Sequence, residues 1–205
     1  MTEMTTPTRK GRKFDQVVAG AREVFMADGF EGASVDKIAS VANVSKATLY
    51  KYFPDKRQIF MQVAELECQR QSREAMDTID TSAAPRAVLG QAGRHFLRFI
   101  TSTFGLQIFR ICVAEAERFP DLGRRFYASG PAVMRREMAQ YFEEATGRGE
   151  LAVEDYLLAS DQFGELCKAQ LWIRLVFGVT DSVSPAEIDR VVDAAVETFM
   201  ARYGT

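Results

Sequence analysis

The sequence predicts an all-helical protein, and three observations carry that expectation. Apolar residues recur at three- and four-residue spacing along almost the whole chain, the period of a helix face. No segment shows the two-residue alternation of a half-buried strand, and no internal repeat occurs. Ser, Asp, Pro and Gly fall at the joints between periodic stretches, where helices are capped or stopped. With 47% hydrophobic residues, a chain of 205 residues can bury a sizeable core.

Each element follows in order. Residues 1–8 carry no apolar pattern and read as a loose arm. Phe14, Val17, Val18, Ala21, Val24 and Phe25 form one face of a first helix, with Gly29 as a left-handed stop. Ser34 can cap a second helix over 35–42, burying Val35, Ile38, Ala39 and Ala42. Asn43 tolerates the left-handed backbone that a tight turn needs. Ser45 can cap a third helix from Lys46 to Phe53, with Val44, Leu49 and Phe53 inward and Pro54 as its stop. Asp55 can cap a fourth, whose buried side is Ile59, Phe60, Val63 and Leu66.

Longer helices follow. One is expected over 86–104, a second over "LQIFRICVAEAERFP", and a third from Asp121 to about Thr146, bent at "SGP". "GRGEL" reads as a loop, and 154–178 as one helix that is apolar on most faces near Trp172. "SPAE" at Ser184 is a capping box with Pro in the first helical position. It opens a last helix whose face is Ile188, Val191, Val192, Ala195, Phe199 and Tyr203.

Charge is unevenly placed. Residues 1–58 hold ten Lys/Arg against seven Asp/Glu, and the remainder sixteen against twenty-one, for a net −2. A positive segment on a negative chain points that segment towards a polyanion. Cys68, Cys112 and Cys167 lie far apart with no CxxC pair, which fits reduced thiols in a cytoplasm better than disulfides or a zinc site. No apolar run is long enough to span a bilayer, and the basic N-terminus lacks the apolar stretch of a secretory signal. GxSxG, HExxH, phosphate-loop and dinucleotide motifs are all absent and His95 is the sole histidine, so no enzyme, cofactor or metal site is expected.

Two short helices on a tight turn, the second stopped by a proline, make a helix-turn-helix. This explains why "SVDKIASVANVSKATLYKYFPDK" mixes core residues with small hydrogen-bonding ones. One face of the second helix must lock onto its neighbours, and the other must approach DNA closely. The candidate DNA-binding residues are Ser34, Lys37, Ser45, Lys46, Ala47, Thr48, Tyr50, Lys51, Tyr52 and Lys56. Arg9, Lys10, Arg12 and Lys13 read either as a solvated tail or as an arm reaching the neighbouring minor groove.

The stretch "IASVANVSKATLYKYFPDKRQIF" resembles the DNA-binding signature of TetR-family transcriptional regulators, commonly "IA..AGVS.GTLY.YF..K..L". Asn43 and Ala47 stand where that signature usually has Gly. "AEAERFPDLGRRFYASGP" and "RGEL" are similar to the C-terminal domain of the AefR-like branch, related to AcrR-type repressors. The resemblance implies a helix-turn-helix three-helix domain at about 9–58 and a helical-bundle ligand-binding and dimerisation domain at 59–205. It implies a homodimer joined through the last two helices, holding a double-stranded DNA operator, with a small-molecule effector in each C-terminal domain.

The candidate effector residues are Phe96, Phe99, Phe109, Cys112, Phe126, Met134, Met138, Phe163 and Cys167. Taken singly, each reads more readily as packed core than as pocket lining; together, fifteen Phe and eight Met suit an adaptable apolar pocket. Two other readings stay open: the same fold governed by a protein partner or without a ligand, and a helical adaptor whose DNA-binding motif is vestigial.

Overall fold

A computed structural model describes residues 11–205, and among these the chain forms eleven helices. Arg9 and Lys10 of the basic arm lie outside the described residues. Two compact units divide between Ala64 and Glu65, within a single helix.

The first unit opens with α1 (Arg12–Gly32). All six predicted apolar residues, Phe14, Val17, Val18, Ala21, Val24 and Phe25, are buried. Gly29 breaks the helix in extended rather than left-handed α geometry, at φ 70 and ψ 179, so a short last turn follows it. That backbone is one only glycine adopts readily. α2 (Val35–Val41) is capped by Ser34, whose Oγ accepts the Lys37 N–H. α3 (Lys46–Tyr52) is capped in the same way by Ser45 and ends at Phe53. α4 (Lys56–Thr78) starts where Asp55 Oδ1 accepts the Gln58 N–H at 3.0 Å. Ile59, Phe60 and Val63 are buried as expected, but Leu66 is exposed. Met61 and Ala64, outside the expected face, are fully buried.

The second unit holds α5 (Pro85–Thr101), α6 (Thr103–Glu115), α7 (Pro120–Ser129), α8 (Pro131–Gly147), α9 (Tyr156–Lys168), α10 (Leu171–Val176) and α11 (Pro185–Tyr203). The helix expected over 86–104 stops early, because Ser102 is extended and caps α6 through the Gly105 N–H at 3.0 Å. Phe104 therefore belongs to α6. Gly130 supplies the bend expected at "SGP". The single helix expected over 154–178 is two: Gln170 takes φ 68 and breaks the chain between α9 and α10. Its side-chain oxygen there accepts a hydrogen bond from Arg190 of α11.

The core of this unit lies among α5, α8, α9 and α11. Phe199 of α11 is its hub, with ring centroids 4.8 Å from Phe142, 5.4 Å from Phe163 and 4.7 Å from Tyr203. Arg94 of α5 ties the outside of the α5–α11 seam, at 2.7 Å from Asp189 and 2.5 Å from Asp193. The "GRGEL" loop is pinned to the chain end, with Ala152 N–H donating to the Tyr203 carbonyl at 2.7 Å.

Candidate nucleic-acid interface

The turn between α2 and α3 is built from backbone. Asn43 takes φ 51, and the Asn43 and Val44 amides close onto the Ser40 and Ala39 carbonyls at 3.1 and 3.0 Å. This frees Ser45 to open α3. Its Oγ accepts the Thr48 N–H at 3.1 Å and meets Thr48 Oγ1 at 2.9 Å. Both hydroxyls of the expected DNA face thus also hold the first turn of the helix.

Leu49 is fully buried and Phe53 nearly so. Phe53 packs on Phe14 of α1 with centroids 5.4 Å apart, and Tyr52 meets the same ring edge-on at 5.7 Å. At 100° per residue, Ala47 and Lys51 then fall opposite Leu49 and Tyr50 to one side of it, and all three are exposed. Tyr50 is 51% exposed, which is unusual for a large aromatic side chain with no packing duty.

Three of the predicted cations are already engaged. Lys46 Nζ lies 2.5 Å from Asp36 Oδ1, and that carboxylate, through a hydrogen bond and its charge, raises the lysine's pKa. Lys37 Nζ lies 2.6 Å from Asp28. These are exposed pairs with little net worth, so a phosphate can displace the aspartate. Lys56 is different. Its Nζ donates to the Phe30 and Ala33 carbonyls at 2.8 and 3.1 Å and sits 4.4 Å over the Phe30 ring. It is turned onto the corner between α1 and α2. Ser34, likewise, acts as the cap of α2. Arg12 and Lys13 are exposed and line a shallow hollow with Gly11, Gln16, Asn43 and Tyr52.

Sequence reasoning passed over Gly20. A methyl group there would lie 2.7 Å from the Ala42 nitrogen and 2.8 Å from its Cα. α1 and the end of α2 therefore touch backbone to backbone, and this close approach sets where the turn and α3 stand. The signal in the sequence was a lone glycine inside the first apolar helix pattern.

The nine effector candidates are spread over α5, α6, α7, α8 and α9. Phe163 and Cys167 are in the α5–α8–α9–α11 core, and Phe96 and Met138 pack against it. Met134 reaches α9 at Gly164, where an added methyl would lie 3.4 Å from Met134 Cε. Phe109 packs edge-on against Trp172 at 4.9 Å. Cys112 is buried in α6, while Phe99 and Phe126 are half-buried. A second shallow hollow, lined by Arg136, Ala139, Gln140, Glu143, Glu144, Tyr156 and Leu157, includes none of the nine. Burial pushes the Cys112 and Cys167 thiols up to about 12 and Cys68 to about 11, so all three stay protonated and pack as small apolar groups. His95 Nε2 pairs with the Gln71 carbonyl at 3.0 Å. Among the described residues no His/Cys/Asp/Glu group is placed to hold a metal ion, and no single helix is long and apolar enough to cross a membrane.

Residues 17–63 match the family model for bacterial regulatory proteins of the TetR family, and residues 87–205 match the AefR-like transcriptional repressor C-terminal domain. The chain belongs to the TetR family of DNA-binding transcriptional regulators, with an AefR-like C-terminal domain. It is similar to a crystal structure described as a TetR-family transcriptional regulator from Mesorhizobium loti MAFF303099. There the identity is 30%, the TM-score 0.78, and coverage 97% of this chain and 100% of the other. The flavonoid-responsive regulator FrrA matches at 33% identity and TM-score 0.71, over 95% of this chain and 98% of its own. The transcriptional activator FasR of Mycolicibacterium smegmatis is 31% identical over 85 residues, 42% of this chain and 39% of FasR. The chain spans about half the length, or less, of the curated relatives it matches.

Proposed function

We propose that the protein is a homodimeric repressor that holds a palindromic operator through residues 9–58 and is released by a small hydrophobic effector bound within residues 59–205. One observation carries the reading: α3 anchors itself through Leu49 and leaves Ala47, Tyr50 and Lys51 exposed beside a first turn capped by Ser45. Such a helix fits a major groove. Ser45, Lys46 and Thr48 stand at its positive end, where amides and dipole favour phosphate. Tyr50 and Lys51 extend the contact along the strand, Tyr52 and Lys37 flank it, and Ala47 allows close approach to base edges.

A dimer places two such helices about one DNA turn, roughly 34–36 Å, apart. Supporting it, Ile173, Phe177 and Val179 at and after α10 are 53%, 75% and 70% exposed, an apolar patch that a second copy would cover. The repressor description of the C-terminal family model supports the sign of regulation, and FrrA's flavonoid response supports an apolar, ring-bearing effector. Effector binding releases DNA only by favouring a conformation whose recognition helices no longer match successive grooves. The protein then acts in the cytoplasm by binding alone, without a cofactor.

Selection from random duplexes, followed by footprinting and affinity measurement with and without lipophilic compounds, tests this. The expected result is a two-fold symmetric protected site whose affinity falls when a compound stabilises the protein against heat. Failure to enrich any duplex sinks the proposal. A second reading, control by a protein partner, is favoured by the packing of Phe163 and Cys167 into the α5–α8–α9–α11 core. If no compound across a lipophilic library stabilises the chain while DNA is still bound, that reading replaces the first.

A further inference from the structure

The geometry points to Lys56 as a positioning residue, one that clamps the first turn of α4 to the corner between α1 and α2 instead of contacting DNA phosphate. The inference rests on the proposed operator binding only for its affinity arm. Lys56 is the first residue of α4, yet its ammonium serves another place in the chain. It donates to Phe30 O at 2.8 Å and Ala33 O at 3.1 Å. Phe30 lies in the last turn of α1, and Ala33 immediately precedes the cap of α2. Carbonyls at a helix end have no partner inside the helix and carry its negative pole. A lysine ammonium therefore completes this corner, which the Gly29 kink has opened.

The Phe30 ring completes the clamp. It lies 4.4 Å beneath the ammonium and within 6.1 Å of Phe25 and 5.1 Å of Phe60. Phe60 belongs to the next turn of α4 and is fully buried. One cation and one ring thus join α1, the start of α2 and the start of α4. To reach a phosphate, the ammonium would have to leave two carbonyls and an aromatic face. The same α4 runs on past Ala64 into the second unit. A displacement of its first turn would be passed to α2, and so to α3, through this clamp.

Lys51 supplies the comparison, as an exposed cation on the outward face of α3. The experiment uses the full chain with Lys56→Met, Lys56→Arg and Lys51→Ala. It reads amide exchange over residues 30–38 and 56–60, and operator affinity against salt. Lys56→Met should speed exchange in both segments about tenfold, while Lys56→Arg, which keeps donors for both carbonyls, stays near the parent. On the operator, Lys56→Met should weaken binding at every salt concentration with the salt slope kept. Lys51→Ala should flatten the slope by about 0.9, the loss of one phosphate. Should Lys56→Met fail to fold while Lys56→Arg folds with parental exchange, the clamp is also supported. Unchanged exchange in Lys56→Met, or a slope flattened as much as in Lys51→Ala, overturns it. If the parent binds no duplex, operator binding fails while the exchange result still judges the clamp.

Discussion

Tyr50 and Lys51 contribute nothing to the core, since both side chains are exposed on α3. Their removal therefore separates binding from folding. Tyr50→Ala and Lys51→Ala should each weaken DNA binding across sequences and leave the unfolding midpoint within error; titration by fluorescence anisotropy and thermal unfolding check the two halves. A loss of folding with either substitution would assign the residue to the scaffold instead. Ser45 behaves differently. Ser45→Ala leaves the Thr48 N–H without its cap, at a cost of about 1 kcal/mol, so urea unfolding should detect it even without DNA. Phosphate-facing and structural residues were mixed in the sequence because one hydroxyl can serve both ends. The 3.1 Å bond to the Thr48 amide shows only the structural use.

At the scale of elements, four caps and the bend at "SGP" were legible, while the Ser102 cap and the break at Gln170 were not. Ser34, Ser45, Asp55 and Ser184 were all read from their side chains, and each accepts the backbone N–H three residues on. The break at Gln170 was hidden, because Gln is a good helix former and takes φ 68 only where α11 offers Arg190 to its side chain. Gly20 was hidden for the same reason: its neighbour Ala42 is 22 positions away in sequence and is brought to it by folding. Gly20→Ala should cost about 1–3 kcal/mol through backbone displacement, measured by urea unfolding; a neutral result would show that α1 and α2 can separate freely. At the start of α11, the Ser184 amide donates to Glu187 Oε2 at 2.9 Å and the Ser184 hydroxyl at 2.8 Å. These bonds hold the Glu187 carboxyl below its ordinary pKa. The folded value is therefore lower than the unfolded one. The stabilisation is complete above the ordinary carboxylate range and disappears as pH falls through the lowered value. Amide exchange at residues 187–189 should quicken over that acid window, and Glu187→Gln should remove the step.

For the whole molecule, the question is what covers Phe177. At 75% exposure this phenylalanine contributes almost nothing to its own chain. Phe177→Asp should leave the monomer fold intact and lower the mass in sedimentation from two chains to one, with operator affinity falling because two heads no longer bind together. A parent that sediments as one chain would remove the dimer from the account. The fold itself was accessible because helical periodicity is local, and the helix-turn-helix because its spacings are local too. The effector candidates were chosen by residue type, and type alone does not separate a pocket lining from a core. Phe163 and Cys167 lie among the buried residues of the core.

The sequence by itself determined the all-helical class, four of the side-chain caps and most of the inward face of each short helix at the N-terminus, where Ile38, Ala39, Ala42, Leu49 and Phe53 are buried but Val35 and Val44 only half-buried. Each of these depends on residues within one or two turns of one another, where hydrogen-bond reach and the 3.6-residue period decide. Only the tertiary structure decided that Lys56 turns onto Phe30 and Ala33, that Gly20 admits Ala42, and that 154–178 divides at Gln170. Those outcomes depend on partners from 20 to 26 positions distant, whose approach is set by the packing of the entire core.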